Sequence, residues 1–193
     1  MHKSISFAQV MRITAIGCLS ATVILALLYR TCGLGWILAA AITTFTTFYH
    51  FAMRLIVGWI VPPCVKHPMD CRWFQEKTWE QNLYRVLKVK RWKDRMPTYS
   101  PGSFSLKENT MQQIVDNCCV AEAVHEVIVL FSFVPLGFAC WWGTFPVFLI
   151  TSLLAAAFDG CFVIMQRYNR PRLIRILTKK EAKGLKLSAE GQL

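Results

Sequence analysis

Two adjoining stretches, IVDNCCVAEAVHEVIVLFSFVPLGF (residues 114–138) and WWGTFPVFLITSLLAAAFDGCFVIM (residues 141–165), decide the fold. Each is long enough to cross roughly 30 Å of hydrocarbon, which takes about 20 residues of helix. Each also holds ionisable groups: Asp116, Glu122, His125 and Glu126 in the first, Asp159 in the second. A lipid-facing carboxylate is costly enough to be rare, so these side chains are expected to face a polar interior site.

Two further apolar stretches, residues 13–29 and 34–61, bring the expected spans to four. The 193 residues are 54% hydrophobic and 17% charged, with a mean hydropathy of +0.38 that an ordinary soluble domain seldom reaches. The reading is all-α, a polytopic membrane protein formed as a single integral membrane domain over residues 1–193. Lys3 and Arg12 precede the first span as they would in a secretory signal. A Gly-containing break and a second span follow without a small-residue cleavage site, so the first span reads as an uncleaved anchor. Pro62 and Pro63 end the second span, and Thr43, Thr44, Thr46 and Thr47 along it suit packing against a neighbouring helix.

The net charge of +11 is unevenly spread. Of 22 Lys and Arg, 10 lie in residues 62–111, 8 follow Met165, and Lys3 and Arg12 sit at the start. With four spans all of these fall on one side, which predicts a cytoplasmic loop over 62–111, a basic cytoplasmic tail over 166–193 and both termini inside a cell membrane. This segregation argues against a nucleic-acid partner and for anionic lipid or a phosphate-bearing substrate.

Inside the loop, Trp73, Trp79, Leu83, Val86 and Leu87 recur near helical spacing among charged residues between Asp70 and Lys90. The pattern predicts an amphipathic helix lying in the headgroup region. Lys88 to Arg95, a basic run holding Trp92 and Lys93, suits phosphate binding or topology and lipid contact equally well. The loop closes through Pro97, Pro101 and Gly102.

Glu122 and His125 are spaced i, i+3, and Glu122 and Glu126 i, i+4, so they can share one helix face. A carboxylate beside a histidine fixes its tautomer and stabilises its protonated form, as a general base requires. His125 is the candidate base and Glu122 its orienting group, with Glu126 or Asp159 binding an acceptor's hydroxyls. His50 and Arg54 fall at similar depth in the second span. The same groups, paired with one another, could instead simply hold helices together. Just after the fourth span, Gln166, Arg167, Tyr168, Asn169 and Arg170 put an amide, a phenol and two guanidinium forks within five residues, a set suited to a donor's phosphates. Arg172 and Arg175 read as membrane anchors.

No metal is expected. Cys64, His67 and Cys71 lack a fourth ligand and a recognised finger spacing, and a di-iron site would need a second Glu-x-x-His copy, for which too few histidines exist. The eight cysteines make no disulfide framework, Cys32 and Cys140 being the one pair able to meet near the outer surface.

The run from Gln166 to Leu173, with Ala121-Glu122 followed by His125, and upstream Glu80, Tyr84 and Trp92-Lys93-Asp94 near Pro97, resembles the bacterial glycosyl-4,4'-diaponeurosporenoate acyltransferase family. The resemblance covers Trp79 to Leu173. It implies a small bacterial membrane enzyme of carotenoid biosynthesis type that esterifies a fatty acyl group onto a glycosyl hydroxyl. The expected donor is acyl-CoA or an acyl carrier acting as substrate, with no cofactor, and the acceptor a glycolipid-like or isoprenoid glycoside. Alternatives from the residues alone are a membrane methyltransferase or reductase binding a nucleotide cofactor, for which no Gly-rich fingerprint is present, and a non-catalytic lipid-binding scaffold.

Overall fold

The structure, a computed structural model, describes residues 7–66, 68–98 and 100–190, with the backbone alone for Asp70 and residues 183–190. His67 lies outside the described residues. The described chain is mostly helical, with no strand among the described residues. Four helices are long and apolar enough to cross a bilayer, over Phe7–Cys32, Gly35–Cys64, Met111–Trp142 and Phe145–Ala182. The chain is therefore a multi-pass membrane protein. It divides into two compact units, one of Met1–Pro62 with Val124–Cys161 and the other of Pro63–Ala123 with Phe162–Leu193.

In the first unit, α1 (Phe7–Cys32) runs to Gly33, whose φ of +67° suits glycine and whose N–H caps Tyr29 at 2.8 Å. After this break α2 (Gly35–Ile60) packs against α1, and the Thr22 hydroxyl donates to that of Thr44 at 2.9 Å. Such a bond inside a membrane contributes about 0.6 kcal/mol. The threonines expected to join helices mostly bond back to their own turns, Thr43, Thr46 and Thr47 among them. Along α1 the side chains of Ile13, Ile16, Val23 and Leu27 are exposed, as lipid contact requires. Met53, Val57 and Ile128 form a buried apolar cluster framed by Tyr49, Val61, Val124 and Val127.

The third apolar stretch opens earlier than its hydropathy implies. α5 (Met111–Phe131) starts at a reciprocal cap, in which the Thr110 N–H donates to Gln113 Oε1 at 2.8 Å and the Gln113 N–H to Thr110 Oγ1 at 3.2 Å. Its α-helical part also stops short of residue 138. Pro135 enforces a tighter helical turn over Val134–Phe138, followed by Ala139–Trp142 and a reversal in which Gly143 takes a φ of +66°. The fourth helix (Phe145–Glu190) does not end near Met165 but continues through Pro171, so the expected basic tail is helical as far as Glu190. All eight cysteines are free thiols, and Cys32 and Cys140 form no bridge.

In the second unit the single helix expected between Asp70 and Lys90 is broken. Tight turns at Pro68–Asp70 and Arg72–Phe74 precede α3 (Glu80–Val86) and α4 (Val89–Trp92). Lys88, between them, adopts a left-handed φ of +51° that redirects the chain. Tyr84, Val89 and Tyr168 form this unit's core with Trp92 and Ile164 packed around them. Trp73 and Trp79 are 53% and 56% exposed, and Val86 and Leu87 are exposed as well. The tryptophans and the end of the apolar stripe thus face outward, as an interfacial segment requires, while Glu80 and Tyr84 are turned inward and buried.

The short α6 (Ala139–Trp142) leads into the long α7 (Phe145–Glu190).

Candidate functional site

The first unit gathers its ionisable groups around Asp159, which α7 carries into the interior. Arg54, from α2, is ion-paired to Asp159 Oδ2, and Nδ1 of His125, from α5, lies 2.9 Å from Oδ1. Asp159 is fully buried and the His125 side chain is 22% exposed. Arg54 also donates through Nη1 to the His50 carbonyl at 3.1 Å and lies over the ring of Phe158. A carboxylate fixed by a guanidinium on one oxygen offers the other as a rigid acceptor. With Nδ1–H donating to it, a neutral His125 ring carries its lone pair on Nε2. His50 is 5% exposed, and neither ring nitrogen has a hydrogen-bond partner among the described residues.

The second unit holds a separate charged cluster. Arg167 and Arg170 both pair with the fully buried Glu122, Arg167 through Nε at 2.7 Å and Arg170 through Nη1. Arg167 is also paired with Glu80 and donates through Nη2 to the Trp73 carbonyl at 2.9 Å. Glu80, 1% exposed, accepts the Tyr84 hydroxyl at 2.8 Å. Burial, together with that bond to a carboxylate, raises the Tyr84 phenol above its ordinary pKa. The rings of Tyr84 and Tyr168 meet edge to face, and Arg172 stacks over Tyr168. Two carboxylates thus neutralise two guanidinium groups, an arrangement that tolerates no single deletion without stranding a charge.

Beside this cluster is an open cleft of about 500 Å³. Its lining includes Arg85, Lys88, Lys90, Arg91, Arg172 and Arg175. The left-handed turn at Lys88 sets that residue between α3 and α4, so both contribute cations to the cleft. Against these stands Glu76, which Arg175 meets at 3.0 Å. So strong an excess of positive charge in a concave surface suits a ligand with several phosphates.

Each unit brings some of the expected site residues together. His125, Asp159 and Arg54 come together. Glu122, taken from spacing as the orienting group of His125, is held by Arg167 and Arg170, and the carboxylate on Nδ1 of His125 is Asp159. Glu126 is partly buried, as is Asn169, while Gln166 and Tyr168 are buried. Trp92 donates its Nε1–H to the Leu87 carbonyl at 3.0 Å, and Lys93 pairs with Asp94. Sequence reasoning missed Glu80 and Tyr84 as members of a buried network, although their i, i+4 spacing is compatible with the bond they make. It also gave Arg172 and Arg175 to membrane anchoring, whereas both line the cleft.

The sequence profile of the glycosyl-4,4'-diaponeurosporenoate acyltransferase family matches residues 70–179. That range contains the whole Glu80–Glu122–Arg167–Arg170 cluster and also His125 and Asp159, while His50 and Arg54 precede it. No curated protein and no solved structure matches the chain.

Proposed function

The chain belongs to the glycosyl-4,4'-diaponeurosporenoate acyltransferase family, and from that premise we propose that it moves a fatty acyl group from acyl-CoA or an acyl carrier onto a hydroxyl of a glycolipid-like or isoprenoid-glycoside acceptor. The observation that carries the reading is the 2.9 Å contact of Asp159 with His125 Nδ1 inside the matched range. It supplies what an alcohol nucleophile needs, a histidine fixed by a carboxylate with its basic lone pair on Nε2.

In this reaction Nε2 of His125 takes the acceptor's hydroxyl proton as the oxygen attacks the thioester carbonyl. A carbon–oxygen bond forms and the carbon–sulfur bond breaks. The imidazolium then returns its proton to the departing thiolate, so the ring is restored and no co-reactant is needed. Asp159 positions the ring and stabilises its charged form, and Arg54 positions Asp159. Glu126 binds acceptor hydroxyls. General-base assistance of this kind contributes about 10²- to 10⁴-fold.

The basic cleft of the second unit supports a donor that carries phosphates, since its cations outnumber the one carboxylate, Glu76, that lines it with them. Trp92 packs, partly buried, against that unit's core, and with Lys93 it is assigned to the donor-binding side of the proposal. The whole chain acts as one integral membrane domain in a bacterial cell membrane with both termini cytoplasmic, a topology supported by the segregation of 20 of 22 basic residues to one side.

The test is direct. Full-length protein in lipid nanodiscs, given a long-chain acyl-CoA and an alkyl glucoside, should yield the acyl ester by mass spectrometry. Absence of ester with acyl-CoA and with acylated carrier alike, from folded protein, sinks the proposal.

A further inference from the structure

Arg170 is 1% exposed, yet its guanidinium is satisfied on one side only. Nη1 meets Glu122, and the plane lies 5.4 Å over the ring of Phe74. Nε and Nη2 are buried and have no hydrogen-bond partner among the described residues. Their N–H groups point the same way along one edge of the guanidinium, the edge that receives two oxygens of one oxyanion in parallel. The Cys119 thiol approaches the group as a weak, poorly aligned hydrogen-bond partner, but one sulfur cannot satisfy two donors of a cation. Arg167, three residues earlier, is by contrast engaged through all three of its nitrogens.

Arg170 opens onto a cavity of about 220 Å³ whose walls include Met69, Phe74, Pro171 and Ile174. The chamber thus sets a cationic fork beside these apolar side chains, with Gln75, Glu76, Cys119 and Arg175 completing its lining. It shares Glu76, Pro171 and Arg175 with the larger basic cleft, so a ligand seated on Arg170 can extend into that cleft. We infer that Arg170 seats the phosphate of the donor's pantetheine arm, with the apolar walls receiving the branched hydrocarbon next to that phosphate.

The inference rests on the acyl-thioester reading and narrows it to one residue and one functional group. The geometry favours this arm in two ways. Two phosphate oxygens match the Nε/Nη2 edge, and the aliphatic carbons attached to that phosphate match Phe74 and Ile174 better than water does. Coenzyme A and acyl carrier proteins present the same arm. Coenzyme A adds further phosphates, for which Lys88, Arg91 and Arg172 stand in the adjoining cleft.

Isothermal titration of full-length protein in nanodiscs tests it with four probes: pantetheine, 4'-phosphopantetheine, coenzyme A and holo-acyl carrier protein, with the apo-carrier as control. The wild type should bind 4'-phosphopantetheine at least tenfold more tightly than pantetheine. Arg170→Lys, which keeps a charge for Glu122 but lacks the fork, and Arg170→Gln should both erase that preference. Equal affinities for the two small probes in the wild type overturn the site without reference to any variant. So does an undiminished preference in folded Arg170→Lys. Arg170-dependent binding of coenzyme A supports the site and identifies the free cofactor as donor; such binding of the holo-carrier alone supports it and identifies the carrier; neither overturns it. An enzyme that transfers acyl groups yet ignores the phosphate keeps its function and loses this site. One that discriminates the phosphate but never transfers loses the proposed function.

Discussion

Oδ1 of Asp159 lies 2.9 Å from Nδ1 of His125, while the other oxygen of the same carboxylate holds Arg54. One buried acid therefore anchors a ring and a guanidinium from two other helices, and its removal has two separable consequences. Asp159→Asn should leave the Arg54 charge uncompensated and cost about 3–5 kcal/mol. It should also lower turnover by loosening His125. Combining it with Arg54→Met removes the stranded charge, so thermal denaturation of the double variant should return toward wild type while its turnover stays low. Recovery of turnover in the double variant would contradict a positioning role for Asp159.

Arg167 bridges Glu122, Glu80 and the Trp73 carbonyl through three nitrogens. A lysine offers a point charge and cannot span those acceptors. Arg167→Lys should therefore destabilise the protein nearly as much as Arg167→Met, on the order of 3 kcal/mol. Thermal denaturation checks this, and a lysine variant as stable as wild type would show that charge alone suffices.

The raised Tyr84 phenol makes a prediction about pH. The folded state favours the protonated phenol, so its contribution is present in full below about pH 10, the ordinary tyrosine value. It is lost as pH rises above that value toward the folded one. Tm measured from pH 8 to 11 should fall more steeply at the alkaline end for wild type than for Tyr84→Phe. Parallel curves would mean that Tyr84 contributes no alkaline sensitivity.

Charge in the basic cleft should act on donor binding rather than on chemistry. Reversing Lys88 and Arg91 together should raise KM for acyl-CoA about tenfold or more with kcat nearly unchanged. Added salt should raise the wild-type KM and affect the double variant less, because the attraction of exposed cations for a phosphate farther off than about 8 Å is largely screened at 0.15 M ionic strength. A fall in kcat with constant KM would place these cations elsewhere in the mechanism.

Hydropathy made the four spans and the all-helical class readable, because a bilayer demands length and apolarity that no other fold element supplies. Helix ends were readable only where a local rule applies. Thr110 and Gln113 spell a reciprocal cap that extends α5 outward from Ile114, yet an apolar window cannot register it. Partners across helices were not readable. Spacing offered His125 to Glu122, but i, i+3 geometry says which side chains share a face and nothing about what the facing segment presents. Glu80 shows the same limit in reverse, since periodicity assigns a charge to solvent unless a counter-charge such as Arg167 is known to be opposite. Arg172 and Arg175 were legible as cations. Their place in a cleft depends on the turn at Lys88, which no composition rule foretells.

In the proposed mechanism His125 removes the acceptor's proton. His125→Ala strands no buried charge, because Asp159 keeps its pair with Arg54, so the variant should fold. Turnover of acyl-CoA to ester by purified His125→Ala protein, with Tm recorded on the same sample, is the most direct measurement. The account predicts a loss of about 10²- to 10⁴-fold at near wild-type Tm. Ester formation at the wild-type rate by the folded variant would contradict it.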